Sequence, residues 1–204
     1  MIEFLFSQYK NVPPLYIFLE IVAIIFGLVS VLLAKKNNIL VYPTGIISTV
    51  IFVYLLYKWE LIGDMLINGY YTTMSIYGWY LWTLKKNDQE EYPISVMNKK
   101  ELGLGIVIFI ITVLFVILVY HFFDKFTNWT AYIDTFTTGV FFVGMWLMAK
   151  RKIENWILWI IGDVISIPLY FYKGYTFTSL QYLIFTIIAI YAYKEWKKNL
   201  ANTI

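Results

Sequence analysis

Two tryptophans and an aspartate are the side chains of this sequence best spaced to bind a small molecule. Trp156, Trp159 and Asp163 occupy positions i, i+3 and i+7, which share one face of an α-helix. They open an apolar run, so we expect this face to lie in a membrane, with Asp163 about 10 Å deeper than Trp156. Ionisable side chains at such depth mark functional sites. Indole faces attract cations by about 0.5–2 kcal/mol each, which suits a flat cationic ligand.

Polar side chains on two further apolar segments extend this candidate site. Their spacing again follows one helical face, and the residues are Asn68, Tyr71, Gln181 and Tyr182. Asn68 offers both a donor and an acceptor, which suits ribose or carboxamide groups. Two alternatives stay open: Asn68 in a hydrogen bond between helices, and Trp156 as an anchor at the membrane boundary.

The composition is that of a membrane protein that crosses the bilayer several times. Of the 204 residues, 60% are hydrophobic and 14% are charged, whereas about a quarter are charged in soluble domains. There is no cysteine and a single histidine, so neither a metal centre nor a cofactor is expected. The sequence contains no motif of a hydrolase, a zinc protease or a phosphate-binding loop. We therefore expect a transporter and no enzyme.

Four acids fall within the apolar segments, and no lysine or arginine lies in mid-span to pair with them. They are Glu20, Asp64, Asp134 and Asp163. A carboxylate that faces lipid costs about 2.5–3.5 kcal/mol on insertion scales. The four acids are therefore expected to point toward a shared polar interior.

Seven apolar segments are long enough to cross a membrane. They cover residues 15–34, 39–58, 63–84, 102–121, 130–149, 154–172 and 177–196. The sequence thus predicts an all-α integral membrane protein, one domain over residues 1–204 with seven transmembrane helices. Twelve Lys and Arg residues follow segments one, three, five and seven, against four on the other side: Lys10, Lys58, Lys125 and Lys173. This bias predicts an outer amino terminus and a cytoplasmic carboxyl terminus.

An internal repeat divides the segments into two groups of three. An offset of 117 pairs Tyr42 with Trp159, and an offset of 114 pairs Trp82 with Trp196. Three crossings leave the chain on the wrong side to begin a second copy in the same orientation, and a fourth crossing restores it. We therefore predict a 3+1+3 arrangement of parallel repeats, a plan known among transporters. The repeats cover about 15–84 and 130–196, with a linking helix at about 102–121.

The motif Trp156-x-x-Trp159-x-x-x-Asp163, followed by Val164-Ile165-Ser166-Ile167-Pro168, resembles the PnuC-type family of vitamin transporters, relatives of the SWEET sugar transporters. Gly78-Trp79-x-x-Trp82 supports the resemblance. It implies a SWEET-like fold, a bacterial cytoplasmic (inner) membrane location and assembly as a homo-oligomer, a trimer in that family. It implies uptake of nicotinamide riboside, an NAD precursor, by facilitated diffusion with trapping by cytoplasmic phosphorylation. Substrate contacts then fall on Trp156, Trp159 and Asp163, with Asn68 and Tyr71 from the third helix.

Two alternatives remain beside nicotinamide riboside uptake. Thiamine, another aromatic cation, would also suit Asp163, and other members of the family are assigned other vitamins or nucleosides. The chain would otherwise be the membrane-embedded binding subunit of a larger energised transporter.

Overall fold

The computed structural model describes residues 12–59, 61–86, 89–124, 126, 128–174 and 176–201. This part of the chain contains seven α-helices and one short hairpin. The helices are α1 (Pro14–Lys35), α2 (Val41–Lys58), α3 (Ile62–Thr83), α4 (Lys99–Phe122), α5 (Thr130–Ala149), α6 (Glu154–Tyr172) and α7 (Thr176–Ala201). The predicted helices are confirmed, and α5 and α6 have the bounds that the apolar pattern predicted. Lys10 and Lys125, two of the lysines used to predict orientation, lie outside the described residues.

Local chemistry explains where the structure departs from the apolar pattern. Helix α4 begins at Lys99, three residues earlier than predicted, because Asn98 and Glu101 form a capping box. The Glu101 amide donates to Asn98 Oδ1 and the Asn98 amide donates to Glu101 Oε2, both at 2.9 Å, which satisfies two free amides of the first turn. The polar loop before α4 holds the strands β1 (Lys85–Lys86) and β2 (Gln89–Glu90), which pair antiparallel.

Five of the helices, α1, α2, α4, α5 and α6, are long and apolar enough to cross a membrane. Helices α3 and α7 have 22 and 26 residues, which is sufficient length. Both are more polar, α3 because of the stripe that includes Asn68 and α7 because of the charged residues near its end. Crossing by α3 and α7 remains a prediction.

Six helices form a closed ring around a central cavity, in the order α1, α2, α3, α5, α6 and α7. Each helix packs on the next, and α7 packs back on α1. Helix α4 lies outside this ring, mainly against α5. The largest cluster of buried side chains lies at one end of the ring, where α1, α3, α5 and α7 terminate. We call this the basic end, because Lys35, Lys150 and Lys194 lie there.

Candidate functional site

The ring encloses a cavity of about 360 Å³, a volume typical of small-molecule sites. Six helices contribute to its lining, and α4 supplies none of the described residues around it. The structure brings all the predicted site residues to this one cavity: Asn68, Tyr71, Trp156, Trp159, Asp163, Gln181 and Tyr182. Their role in substrate binding remains a prediction.

One side of the cavity is a set of packed rings, which we call the aromatic wall: Tyr71, Phe141, Trp159 and Tyr182. The Phe141 ring stacks on Trp159, with centroids 5.3 Å apart, and lies parallel to Tyr182 at 6.1 Å. Tyr71 is 6.5 Å from Trp159 on the other side. Offset stacking of this kind holds aromatic side chains in fixed orientations, so the wall presents a preformed surface to a flat ligand.

Phe141, at the centre of the aromatic wall, was missed by the sequence analysis. Its ring occupies the space beside Gly162, where a Cβ would lie 2.2 Å from Phe141 Cε1. Only a glycine leaves room for the ring there. In the repeat, the offset of 117 pairs Gly162 with Gly45, but nothing in the sequence pairs Gly162 with a residue of α5.

The Asp163 carboxyl group lies on the cavity. The residue is 3% exposed, and within the described part of the chain no hydrogen bond or ion pair reaches its side chain. A buried carboxylate is costly unless it is paired, so this group favours a cation in the cavity.

The expectation that all four acids share this interior was wrong. Asp134 forms an ion pair with Lys173, which follows the last residue of α6. The long lysine side chain reaches back along the helix end to the acid, as such side chains do at membrane boundaries. Glu20, Asp64 and Asp134 are absent from the described cavity lining, and Asp163 alone of the four contributes to it.

Aromatic side chains close the cavity at the basic end. The Trp82 indole donates to Ala149 O at 3.1 Å, and the Trp196 indole donates to Ala34 O at 3.0 Å. Trp156 is 2% exposed and meets the edge of Trp196 at 5.5 Å. Trp156 is therefore a buried part of this closure and does not anchor the helix at a lipid boundary.

Arg151 contacts both the loop between α3 and α4 and one of the tryptophans that close the cavity at the basic end. Its buried guanidinium lies 4.1 Å from the Trp82 ring centre and 2.6 Å from a Glu90 carboxylate oxygen, and it donates to Tyr92 O at 3.0 Å. Burial lowers the pKa of Arg151 and the adjacent Glu90 opposes that change; the side chain stays charged because the pKa of arginine is so high. In the sequence, Arg151 is one of the twelve basic residues that indicate orientation, and nothing there indicates its contact with Trp82.

With this geometry established, comparison with known proteins decides the family. The sequence model of the nicotinamide mononucleotide transporter family matches residues 17–198. The chain belongs to that family. The match runs from α1 to the last turns of α7, so the whole ring and the cavity fall within it.

Similar proteins include other transporters with vitamin substrates. The nicotinamide riboside transporter PnuC of Escherichia coli (strain K12) is 26% identical, over 87% of this chain and 84% of that protein. The riboflavin/roseoflavin transporter RibM of Streptomyces davaonensis is 22% identical, over 87% of this chain and 83% of RibM. The crystal structure of the vitamin B3 transporter PnuC is similar with a TM-score of 0.67 and 24% identity, over 95% of this chain and 84% of that one. Membership of the nicotinamide mononucleotide transporter family and this shared fold make the chain a multi-pass membrane transporter, not an enzyme.

Proposed function

We propose that this protein takes up nicotinamide riboside across the bacterial cytoplasmic membrane by facilitated diffusion. The observation that carries the proposal is the Asp163 carboxylate beside the aromatic wall, which has no partner among the described residues. Nicotinamide riboside has a flat pyridinium ring with a positive charge. Stacking on the wall and pairing with Asp163 would offset both the ring's loss of water and the cost of the buried acid. The transporters named for nicotinamide riboside among the relatives support this choice.

The charge of the ligand distinguishes riboflavin from the two cationic vitamins. Riboflavin, the substrate named for one relative, has a neutral ring system and would leave Asp163 unpaired. Thiamine carries a positive charge and satisfies the same requirement as nicotinamide riboside. Because charge does not separate these two, direct competition between them is part of the test.

We assign roles to the predicted site residues from their positions in the cavity. Trp159, Tyr71 and Tyr182 hold the pyridinium ring, and Asp163 balances its charge. Asn68 and Gln181 hydrogen-bond the polar groups of the ligand. Trp156 forms the closed end of the cavity beneath it.

The proposal includes the 3+1+3 arrangement of parallel repeats. Two reciprocal contacts support it: the Trp82 indole, at the end of the first three helices, bonds the last carbonyl of α5, and the Trp196 indole bonds a carbonyl at the end of α1. The edge contacts of Tyr42 with Trp82 and of Trp156 with Trp196 correspond as well. These pairs are related by an offset of 114, which matches Tyr42 with Trp156 and not with Trp159.

The orientation, assembly and energetics also belong to the proposal. The twelve-to-four bias of basic residues supports an orientation with the basic end and the carboxyl terminus in the cytoplasm and the amino terminus outside. The family resemblance supports a homo-trimer. The two groups of three helices rock about the cavity, and cytoplasmic phosphorylation of the vitamin keeps it inside.

Uptake by the purified protein tests the proposal. Proteoliposomes with a potassium diffusion potential, inside negative, should accumulate labelled nicotinamide riboside without a sodium or proton gradient. A cation gains about 2.3 kcal/mol per 100 mV, which is about fifty-fold accumulation at equilibrium. Unlabelled riboflavin should compete poorly because its ring system is neutral, and thiamine, which carries a charge, should compete less well than unlabelled nicotinamide riboside if the riboside is the substrate. Absence of uptake, or uptake that only thiamine inhibits, would contradict the proposed substrate, and uptake by the chain alone excludes a dependent subunit of a larger transporter.

A further inference from the structure

The hydroxyl of Ser75 differs from every other serine and threonine hydroxyl of α1, α2 and α3. The others donate to backbone carbonyls, and they are Ser30, Thr44, Ser48, Thr49, Thr72, Thr73 and Thr83. A helical serine commonly bonds the carbonyl four residues earlier. In the described chain Ser75 Oγ has no such partner, although the residue is 3% exposed and lines the cavity. A buried hydroxyl without a partner is costly, so this one is available to a ligand.

Gly45 leaves an open space next to that hydroxyl. A Cβ at Gly45 would lie 3.6 Å from Ser75 Oγ and 3.1 Å from Ser30 Oγ, so both oxygens border the volume that a side chain would fill. Ser30 donates its proton to Val41 O at 2.8 Å and keeps oxygen lone pairs for accepting. Ser75 keeps its proton for donation. All three residues line the cavity.

We propose that Ser30, Gly45 and Ser75 form a subsite for a hydroxyl group on the sugar portion of the transported molecule. A donor and an acceptor on either side of a small space complement a hydroxyl, which itself donates and accepts. This inference rests on the proposed function and names the part of the ligand that α1, α2 and α3 recognise. The aromatic wall and Asp163 come mainly from α5, α6 and α7, so one ligand contacts both groups of three helices. The ribose of nicotinamide riboside and the ribityl chain of riboflavin both carry such hydroxyls.

Binding of nicotinamide riboside and its 2′-deoxy and 3′-deoxy analogues to the full-length protein tests the subsite. Ser75→Ala should weaken binding of the parent riboside about two- to tenfold, the range for one neutral hydrogen bond. For the analogue that lacks the bonded hydroxyl, unaltered protein and Ser75→Ala should bind equally. This comparison assigns the lost bond to one ligand group, because a general distortion would weaken all three ligands.

Two further variants distinguish a loss of ligand binding at the subsite from a loss of protein stability. Gly45→Ala fills the space with a methyl group and should weaken binding of the riboside; alanine is the better helix former, and the Ser30 hydroxyl, 3.1 Å from the new Cβ, must shift by a few tenths of an ångström. Ser166→Ala is the matched control, because Ser166 Oγ is buried and has no partner among the described residues, while Ser166 is absent from the described cavity lining. It should leave all affinities unchanged.

The outcomes are distinguishable. If unaltered protein fails to bind nicotinamide riboside, the proposed function and this inference are both overturned. If it binds, and Ser75→Ala leaves affinity unchanged or weakens the riboside and both deoxy analogues equally, the subsite alone is overturned.

Discussion

Replacing Asp163 by asparagine should stabilise the empty protein and weaken binding of the cationic substrate. The carboxylate is 3% exposed and has no partner among the described residues. The amide has nearly the same shape and is never ionised, whereas the buried acid must either stay charged without a partner or take up a proton, and that cost disappears in the variant. The same change removes the counter-charge that we propose for the pyridinium ring. The two effects of this one substitution therefore have opposite signs.

The size of each effect follows from the lost interaction. Hydrogen bonds and contacts to a charged group contribute about 1.5–3 kcal/mol, which corresponds to a loss of about ten- to 150-fold in affinity. Removing the cost of the buried acid should gain about 1–3 kcal/mol in the empty protein, or about 2–12 °C in Tm for a chain of this size. Titration calorimetry with nicotinamide riboside and a thermal melt of the detergent-solubilised protein measure the two quantities.

Asp134→Asn is the matched control for Asp163→Asn. Asp134 lies within the helical bundle but is paired with Lys173, and it is absent from the described cavity lining. Its replacement should lower Tm, because Lys173 loses its partner, and should leave affinity unchanged. Equal affinity of Asp163→Asn and unaltered protein for the riboside would refute the electrostatic argument. A fall in Tm for Asp163→Asn would show that the carboxylate has a stabilising partner.

Two further predictions concern packing. Trp82→Phe and Trp196→Phe each retain a ring but lose one indole hydrogen bond, so each should lower the free energy of unfolding by about 0.5–1.5 kcal/mol, by similar amounts in denaturant titrations. Gly162→Ala should lower Tm and weaken riboside binding, because its Cβ would lie 2.2 Å from Phe141; Gly69→Ala, with nothing within 4 Å of the new Cβ, should do neither.

For each of these two packing predictions, one experimental result would contradict it. An unchanged unfolding free energy in both tryptophan variants would mean that the two indole bonds do not stabilise the closed end. Equal behaviour of Gly162→Ala and Gly69→Ala would remove the requirement for a glycine beside the aromatic wall.

Sequence reasoning was strongest where the signal is local. The bounds of α5 and α6 follow from runs of apolar residues, and the faces that hold Asp163 and Asn68 follow from helical spacing. To predict that these two faces meet at one cavity, it was enough to assume that polar helix faces turn away from lipid. Asn98 and Glu101 show a local signal that was overlooked, since their spacing is that of a capping box and would have placed the start of α4 correctly.

What escaped prediction depends on contacts between distant parts of the chain. Phe141 reaches the cavity because Gly162 on another helix lacks a side chain. Asp134 is neutralised by Lys173, which lies 39 residues later. Nothing in the spacing of either residue indicates its partner. The Ser75 hydroxyl likewise looks like any helical serine until the bonds of its neighbours are known.

The reciprocal indole bonds at the basic end have a consequence for the populations of the transporter's conformers. One bond joins α3 to α5 and the other joins α7 to α1, so separating the two groups of helices at this end breaks both at once. Two neutral hydrogen bonds contribute about 1–3 kcal/mol together, so these two bonds alone favour the closed form by a factor of about five to 150. Loss of either indole N–H would lower that factor about two- to tenfold, so in the proposed rocking motion a larger fraction of such a variant would be open at the basic end.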